Sequence, residues 1–146
     1  MRRVRICLYN LSGCEGCVLK VVNIVSEDEK LERYVELHGH LVDDDEVRNC
    51  DVAVVDGTVT TEHDEELLKE IRRKSSVLVA LGSCATISGL NALAEHLGFA
   101  EGMRAVYVDS VEVKLVGGAK PLDNVVRVDI RVPGCPPPEE EIRSLL

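Results

Sequence analysis

The sequence predicts an α/β fold, an open and mostly parallel sheet with helices on both faces. Two patterns predict it: short apolar runs alternate with segments whose apolar residues recur at helical spacing, and glycine- or acid-rich breakers separate them. A third observation bounds it. With 146 residues, 45% of them hydrophobic, the chain can bury one real core and is too short for two ordinary ones. A single domain over 1–146 is therefore expected.

Residues 4–9 read as a short apolar strand with basic residues at its start, ended by Asn10-Leu11-Ser12-Gly13. Residues 18–25, apolar apart from Lys20 and Asn23, read as a helix despite their β-branched content and run into the charged stretch 26–30. Residues 34–38 form a second strand, and 52–55 a buried third that stops at Asp56-Gly57. Thr61-Glu62-His63-Asp64 has capping-box spacing, and its acids suit the positive end of a helix dipole. Leu67, Leu68 and Ile71 then share one face of a helix reaching about Lys74. Residues 77–81 are a fourth buried strand, and Gly82-Ser83-Cys84-Ala85 is the turn leaving it. Ile87, Leu90, Ala94 and Leu97 mark the next helix, which Gly98 closes. Beyond Gly102, stretches 105–108 and 125–132 are strand or extended loop, separated by a turn region at 117–121. No repeat, low-complexity tract or linker interrupts this order.

A formal charge of −9 argues against nucleic acid, whose phosphates would be repelled, and against an anionic membrane surface. Proteins and small redox carriers are the favoured partners. No run of about 18 apolar residues is present, so no transmembrane span is expected. Arg2-Arg3 has the look of an export signal, but it runs straight into Val4-Arg5-Ile6-Cys7-Leu8 without a long apolar stretch or a small-residue cleavage site. A cytoplasmic location is expected.

Six cysteines would also suit three disulfides in a secreted protein, but an α/β domain with its own core does not need them, and metal binding is favoured. Cys14-Glu15-Gly16-Cys17 is a pair whose spacing lets two sulfurs face one metal centre, as in iron–sulfur sites, zinc sites and redox dithiols. Cys84 and Cys135 each follow closely on glycine, in Gly82-Ser83-Cys84 and Gly134-Cys135, where backbone amides can approach a centre and donate to sulfur. Pro136, Pro137 and Pro138 stiffen the approach without adding unsatisfied donors. All of these cysteines follow predicted strands or extended stretches, and ligands gather beyond the carboxyl ends of strands in such sheets. A structural zinc site is the plain alternative. A lone dithiol leaves Cys84 and Cys135 unexplained. Cys7 and Cys50, in or just before strands, read as buried bystanders.

Ser12-Gly13-Cys14-Glu15-Gly16-Cys17, Asp56-Gly57-Thr58-Val59-Thr60-Thr61-Glu62, Gly82-Ser83-Cys84-Ala85 and Val132-Pro133-Gly134-Cys135-Pro136-Pro137 together resemble, in order, the landmarks of the [NiFe]-hydrogenase small-subunit family. That superfamily includes the 20-kDa subunit of respiratory complex I. Residues 118–122 also resemble the stretch before the last cysteine in cytosolic and F420-linked hydrogenase members. The resemblance implies a flavodoxin-like domain that holds a proximal [4Fe–4S] cluster on Cys14, Cys17, Cys84 and Cys135 against a large catalytic subunit. Complex I relatives have adjacent cysteines where this chain has a spaced pair, which favours the hydrogenase side.

The resemblance has departures. Many hydrogenase small subunits carry a proton-relaying glutamate two residues after the second cysteine, where this chain has Leu19. It also stops soon after the fourth cysteine, so a further cysteine-rich domain with additional clusters is not expected. Nickel ligands would belong to the partner. The cysteine pair occupies the loop where a flavodoxin binds phosphate, so no FMN is expected.

The expected role is a non-catalytic electron-transfer subunit, with a stand-alone iron–sulfur donor or assembly factor as one alternative and a structural zinc domain as another. A partner would cover apolar surface at 13–18 and 133–138. The run Asp43-Asp44-Asp45-Glu46 reads as a solvated loop. His38, His40, His63 and His96 show no metal-binding spacing, and Glu15 is either a solvent-facing acid or a group that tunes the centre.

Overall fold

The computed structural model describes residues 2–39, 41–44, 46–93, 98–107 and 114–146. Its main sheet has five strands, β1 (Val4–Asn10), β2 (Val35–His38), β3 (Cys50–Asp56), β5 (Ser75–Leu81) and β7 (Ile130–Val132), in the order β2-β1-β3-β5-β7. Every pairing in it is parallel. Strands β4 (Val59–Thr61) and β6 (Leu115–Lys120) make a separate antiparallel pair. This is the predicted open parallel sheet.

Side chains alternate across a strand, and here the two sets enter separate cores. Cys7, Tyr9, Ala53, Val55, Leu78 and Ala80 point to one face, where Leu68 and Ile71 of α3 (Glu62–Lys74) cover them. Ile6, Leu8, Val54, Val79 and Leu81 point to the other, under Val18, Val21 and Val25 of α1 (Gly16–Ser26) and Ile142 of α6 (Glu139–Arg143). Burial on both faces explains why the strands read as continuous apolar runs. Among the described residues no helix is long and apolar enough to cross a membrane.

The capping box forms as expected: Thr61 Oγ1 accepts from Asp64 N and Asp64 Oδ2 from Thr61 N, both at 3.0 Å. Several expectations need correction. A short helix, α2 (Glu29–Tyr34), precedes β2 and takes in Tyr34; Asp28 caps it by accepting from Lys30 N and Leu31 N. The turn after β5 is instead a helix, α4 (Gly82–Ile87). It does not continue through Leu90, because Ser88 turns left-handed at φ 65° and a 3-10 turn, Gly89–Ala92, follows. Ala94 and Leu97 lie outside the described residues. Gly98, at φ 78°, opens the next helix, its carbonyl accepting from Glu101 N and Gly102 N.

That helix, α5 (Phe99–Tyr107), takes in Ala105 to Tyr107, where strand or loop was expected; Val108 lies outside the described residues. The glycine-rich turn region becomes most of β6, which pairs with β4 across a register shift between Val59 and Thr61. Of 125–132, only Ile130–Val132 is strand.

Candidate metal centre at the carboxyl ends of the strands

Three strands of the sheet end at the same edge, and each releases a cysteine-bearing loop there. After β1, a tight segment through Gly13 presents Cys14, and Glu15 at φ 66° starts α1 so that Cys17 lies in its first turn, buried. After β5, Gly82 at φ 89° starts α4 with Cys84 in its first turn. After β7 comes Gly134-Cys135, followed by a cis Cys135–Pro136 peptide bond. Cys14, Cys84 and Cys135 border one cavity of about 650 Å³, together with Ser12, Gly13, Ser83, Gly89, Leu90 and Asn91. Cys17 packs behind it against Gly82.

Glycine is required at that contact. A methyl group placed on Gly82 would stand 2.5 Å from Cys17 Sγ, in addition to the strain of its positive φ. One placed on Gly89 would stand 3.0 Å from Cys84 Sγ.

Hydrogen bonds fix the loops to one another. Ser83 N donates to Gly134 O at 2.8 Å and Gly134 N to Ser83 Oγ at 3.2 Å, joining the Cys84 and Cys135 loops. Asn91 Nδ2 donates to Ser12 O at 3.0 Å, joining the turn after α4 to the Cys14 loop. Ser12 also exchanges main-chain bonds with Thr58, and its hydroxyl lies 2.6 Å from Thr60 Oγ1 and donates to Asp64 Oδ2 at 3.0 Å. Lys20 Nζ reaches Pro137 O at 2.9 Å, holding the proline segment to α1.

The Asp56 carboxylate lies at the end of β3, 2% exposed, with Oδ2 accepting from Cys17 N at 3.2 Å and Oδ1 from Gly57 N at 2.6 Å. Asp56-Gly57 marked only a strand end in the sequence, and no local signal showed that its side chain turns back toward Cys17.

The thiols feel one another. Burial above all pushes the Cys17 thiol up to about 12, and Asp56, Cys14 and Cys84 push in the same direction. Cys84 is raised by burial, then by Asp56, Cys135 and Cys14. Burial and the Asp56 carboxylate thus favour the thiol form at both positions, and a bound metal would favour the thiolates.

The donor set therefore has the chemistry of a thiolate-bound metal centre. Among the described residues, no three His, Cys, Asp or Glu side chains close on a point that could hold a single ion. Cys14, Cys84 and Cys135 line the cavity and Cys17 packs behind it, a set of four thiols whose chemistry fits an iron–sulfur cluster or a zinc ion.

Other sequence candidates fall elsewhere. Cys7 and Cys50 are buried on the α3 side, with Cys50 at the amino end of its strand, away from the cavity. A hydrogen bond from Cys50, outweighing burial, lowers Cys7 to about 6. His38 pairs with Glu36 and Asp43, and Arg48 with Asp43, Asp44 and Glu46, so one arginine partly offsets the acidic run; Asp45 lies outside the described residues. His63 faces a surface groove on α3, while His40 and His96 lie outside the described residues.

The expected surface at 13–18 and 133–138 is largely exposed, with Cys17, Val18 and Pro137 as its buried members. Leu90, which lines the cavity, is 75% exposed, and Leu19 and Ile87 are 49% and 67% exposed.

Comparison with known proteins agrees with this architecture. A family model for the NADH ubiquinone oxidoreductase 20 Kd subunit matches residues 14–146. The chain is 33% identical to the sulfhydrogenase 2 subunit delta of Pyrococcus furiosus, over 95% of this chain and 59% of that one. It is 30% identical to a vhu subunit of the F420-non-reducing hydrogenase of Methanococcus voltae, over 94% and 53%. The chain thus spans little more than half the length of these curated relatives. A crystal structure of an NAD+-reducing [NiFe]-hydrogenase in the H2-reduced state superposes with a TM-score of 0.84 at 29% identity, over 97% of this chain and 88% of that one.

Proposed function

Because the chain belongs to the family of the NADH ubiquinone oxidoreductase 20 Kd subunit and the [NiFe]-hydrogenase small subunits, we propose that it holds one [4Fe–4S] cluster on Cys14, Cys17, Cys84 and Cys135 and relays electrons within a hydrogenase-like oxidoreductase complex. The observation that carries this reading is the meeting of three loops from β1, β5 and β7 at one cavity bordered by thiols. When bound, such a cluster takes up and returns one electron at a time.

The protein's residues do the rest. Gly82 and Gly89 let the loops close on the sulfurs, the Ser83–Gly134 and Asn91–Ser12 bonds hold the loops in register, and the buried wall around Cys17 limits water. No substrate is turned over by this chain alone. The exposed Leu19, Ile87 and Leu90 are the surface on which a large catalytic subunit docks in the cytoplasm. Leu19 has no proton to exchange, so protons do not travel through that position. The same residue favours a second reading, in which the chain serves as a stand-alone iron–sulfur donor or assembly factor without coupling to H2.

Anaerobic purification with iron and sulfide analysis and visible absorption tests the site. A brown protein with about four irons per chain is expected, and Cys135→Ala is expected to lose or degrade the chromophore. Stoichiometric zinc, or no metal after reconstitution, overturns the proposal. Co-purification of a large subunit then selects the complex over the stand-alone donor.

A further inference from the structure

We infer that Asp56 is a positioning residue that lowers the reduction potential of the group held by the four cysteines, by locking a buried carboxylate and the Cys17 main-chain N–H together behind the sulfur cage. The inference rests on the reading of the site given above.

Two observations support it. Asp56 is 2% exposed, yet among the described residues no lysine, arginine or histidine pairs with it; its hydrogen bonds come from the main-chain N–H groups of Cys17 and Gly57. Burying a carboxylate without a cation opposes folding, so the arrangement has a cost that fold stability does not explain. The carboxylate also lies at the cage: a methyl group on Gly82 would stand 3.5 Å from Asp56 Oδ1 and 2.5 Å from Cys17 Sγ.

Two physical effects then act in one direction. An electron added inside the cage is repelled by a negative charge that no counter-ion screens in a low-dielectric wall. An amide N–H that donates to a carboxylate is withdrawn from sulfur, and hydrogen bonds to sulfur are what raise such potentials. Both oxygens of Asp56 accept, which an amide side chain cannot reproduce.

The test is a redox titration of the full chain, loaded anaerobically and followed by visible absorption and electron paramagnetic resonance, for the parent protein, Asp56→Asn and Asp56→Glu. In Asp56→Asn the ratio of reduced to oxidised centre at fixed potential is expected to rise at least tenfold, an upward shift of about 59 mV or more for one electron. Asp56→Glu keeps the charge and is expected to shift less. A loaded Asp56→Asn protein with an unchanged or lower potential overturns the inference while leaving the four-cysteine site intact. Loss of iron from the variants, with the parent protein loading normally, also overturns it and makes the carboxylate an anchor of the Cys17 loop only. A parent protein that takes up no iron removes the reading of the site itself.

Discussion

Gly82 carries two constraints at once, a positive φ and a contact with Cys17 Sγ that leaves no room for a methyl group. Gly82→Ala is expected to lower thermal stability by about 1–3 kcal/mol and to reduce the iron content, read by denaturant unfolding and metal analysis of the same preparation. Glycine beside Cys84 and Cys135 was legible in the sequence, because a cysteine embedded in glycine is a local pattern. Asp56 was not legible as part of the site. Before a glycine it reads as a strand terminator, and its proximity to Cys17 appears only once β3 is placed between β1 and β5. Asn10, paired with Asp56 across the strands, keeps its buried side-chain carbonyl oxygen without a hydrogen-bond partner among the described residues.

At the scale of the element, the capping box of α3 shows how far local chemistry reaches. It involves four consecutive residues, so the sequence displayed it in full, but Asp64 does more than cap. Its Oδ2 also accepts from Thr60 N and the hydroxyls of Thr60 and Ser12, linking α3 to the loop that carries Cys14. Burial pushes the Asp64 carboxyl up, and the donors from Thr60, Thr61 and Ser12 outweigh it, leaving the folded-state pKa below the ordinary value. A carboxyl lowered by folding stabilises the protein above the unfolded-state pKa and loses that contribution as pH falls through the folded one. Asp64→Ala is accordingly expected to cost about 1–3 kcal/mol near neutral pH and to flatten the acid limb of the stability profile, measured by urea unfolding from pH 7 downward.

The break at Ser88 and the strand character of β6 escaped the sequence for a different reason. Ile87 and Leu90 imitate the buried face of a helix although they are exposed, and a glycine-rich stretch becomes strand only through pairing with β4, far away in the chain.

For the whole molecule, alternating strands and helices made the parallel sheet legible, along with the edge at which loops would gather. What the sequence missed was the extent of the exposed surface at Ile87 and Leu90, since an exposed leucine and a buried one look alike in sequence. Ile87→Lys, at a 67% exposed position outside the cavity lining, is expected to leave iron content unchanged and folding stability within about 0.5 kcal/mol of the parent while weakening recovery of a large subunit in pull-down at least severalfold. An equal loss of iron would make Ile87 a support of the Cys84 loop instead.

The loop carrying Cys135 leaves a strand that is last in sequence among the five of the sheet and lies at its far side from β2. Cys14 and Cys17 leave the ribosome long before it, and contacts of such sequence separation form late. A nascent chain consequently carries two of the proposed ligands from residue 17, three from residue 84 and all four only from residue 135, and the arrival of β7 beside β5 brings the last of them to the other loops.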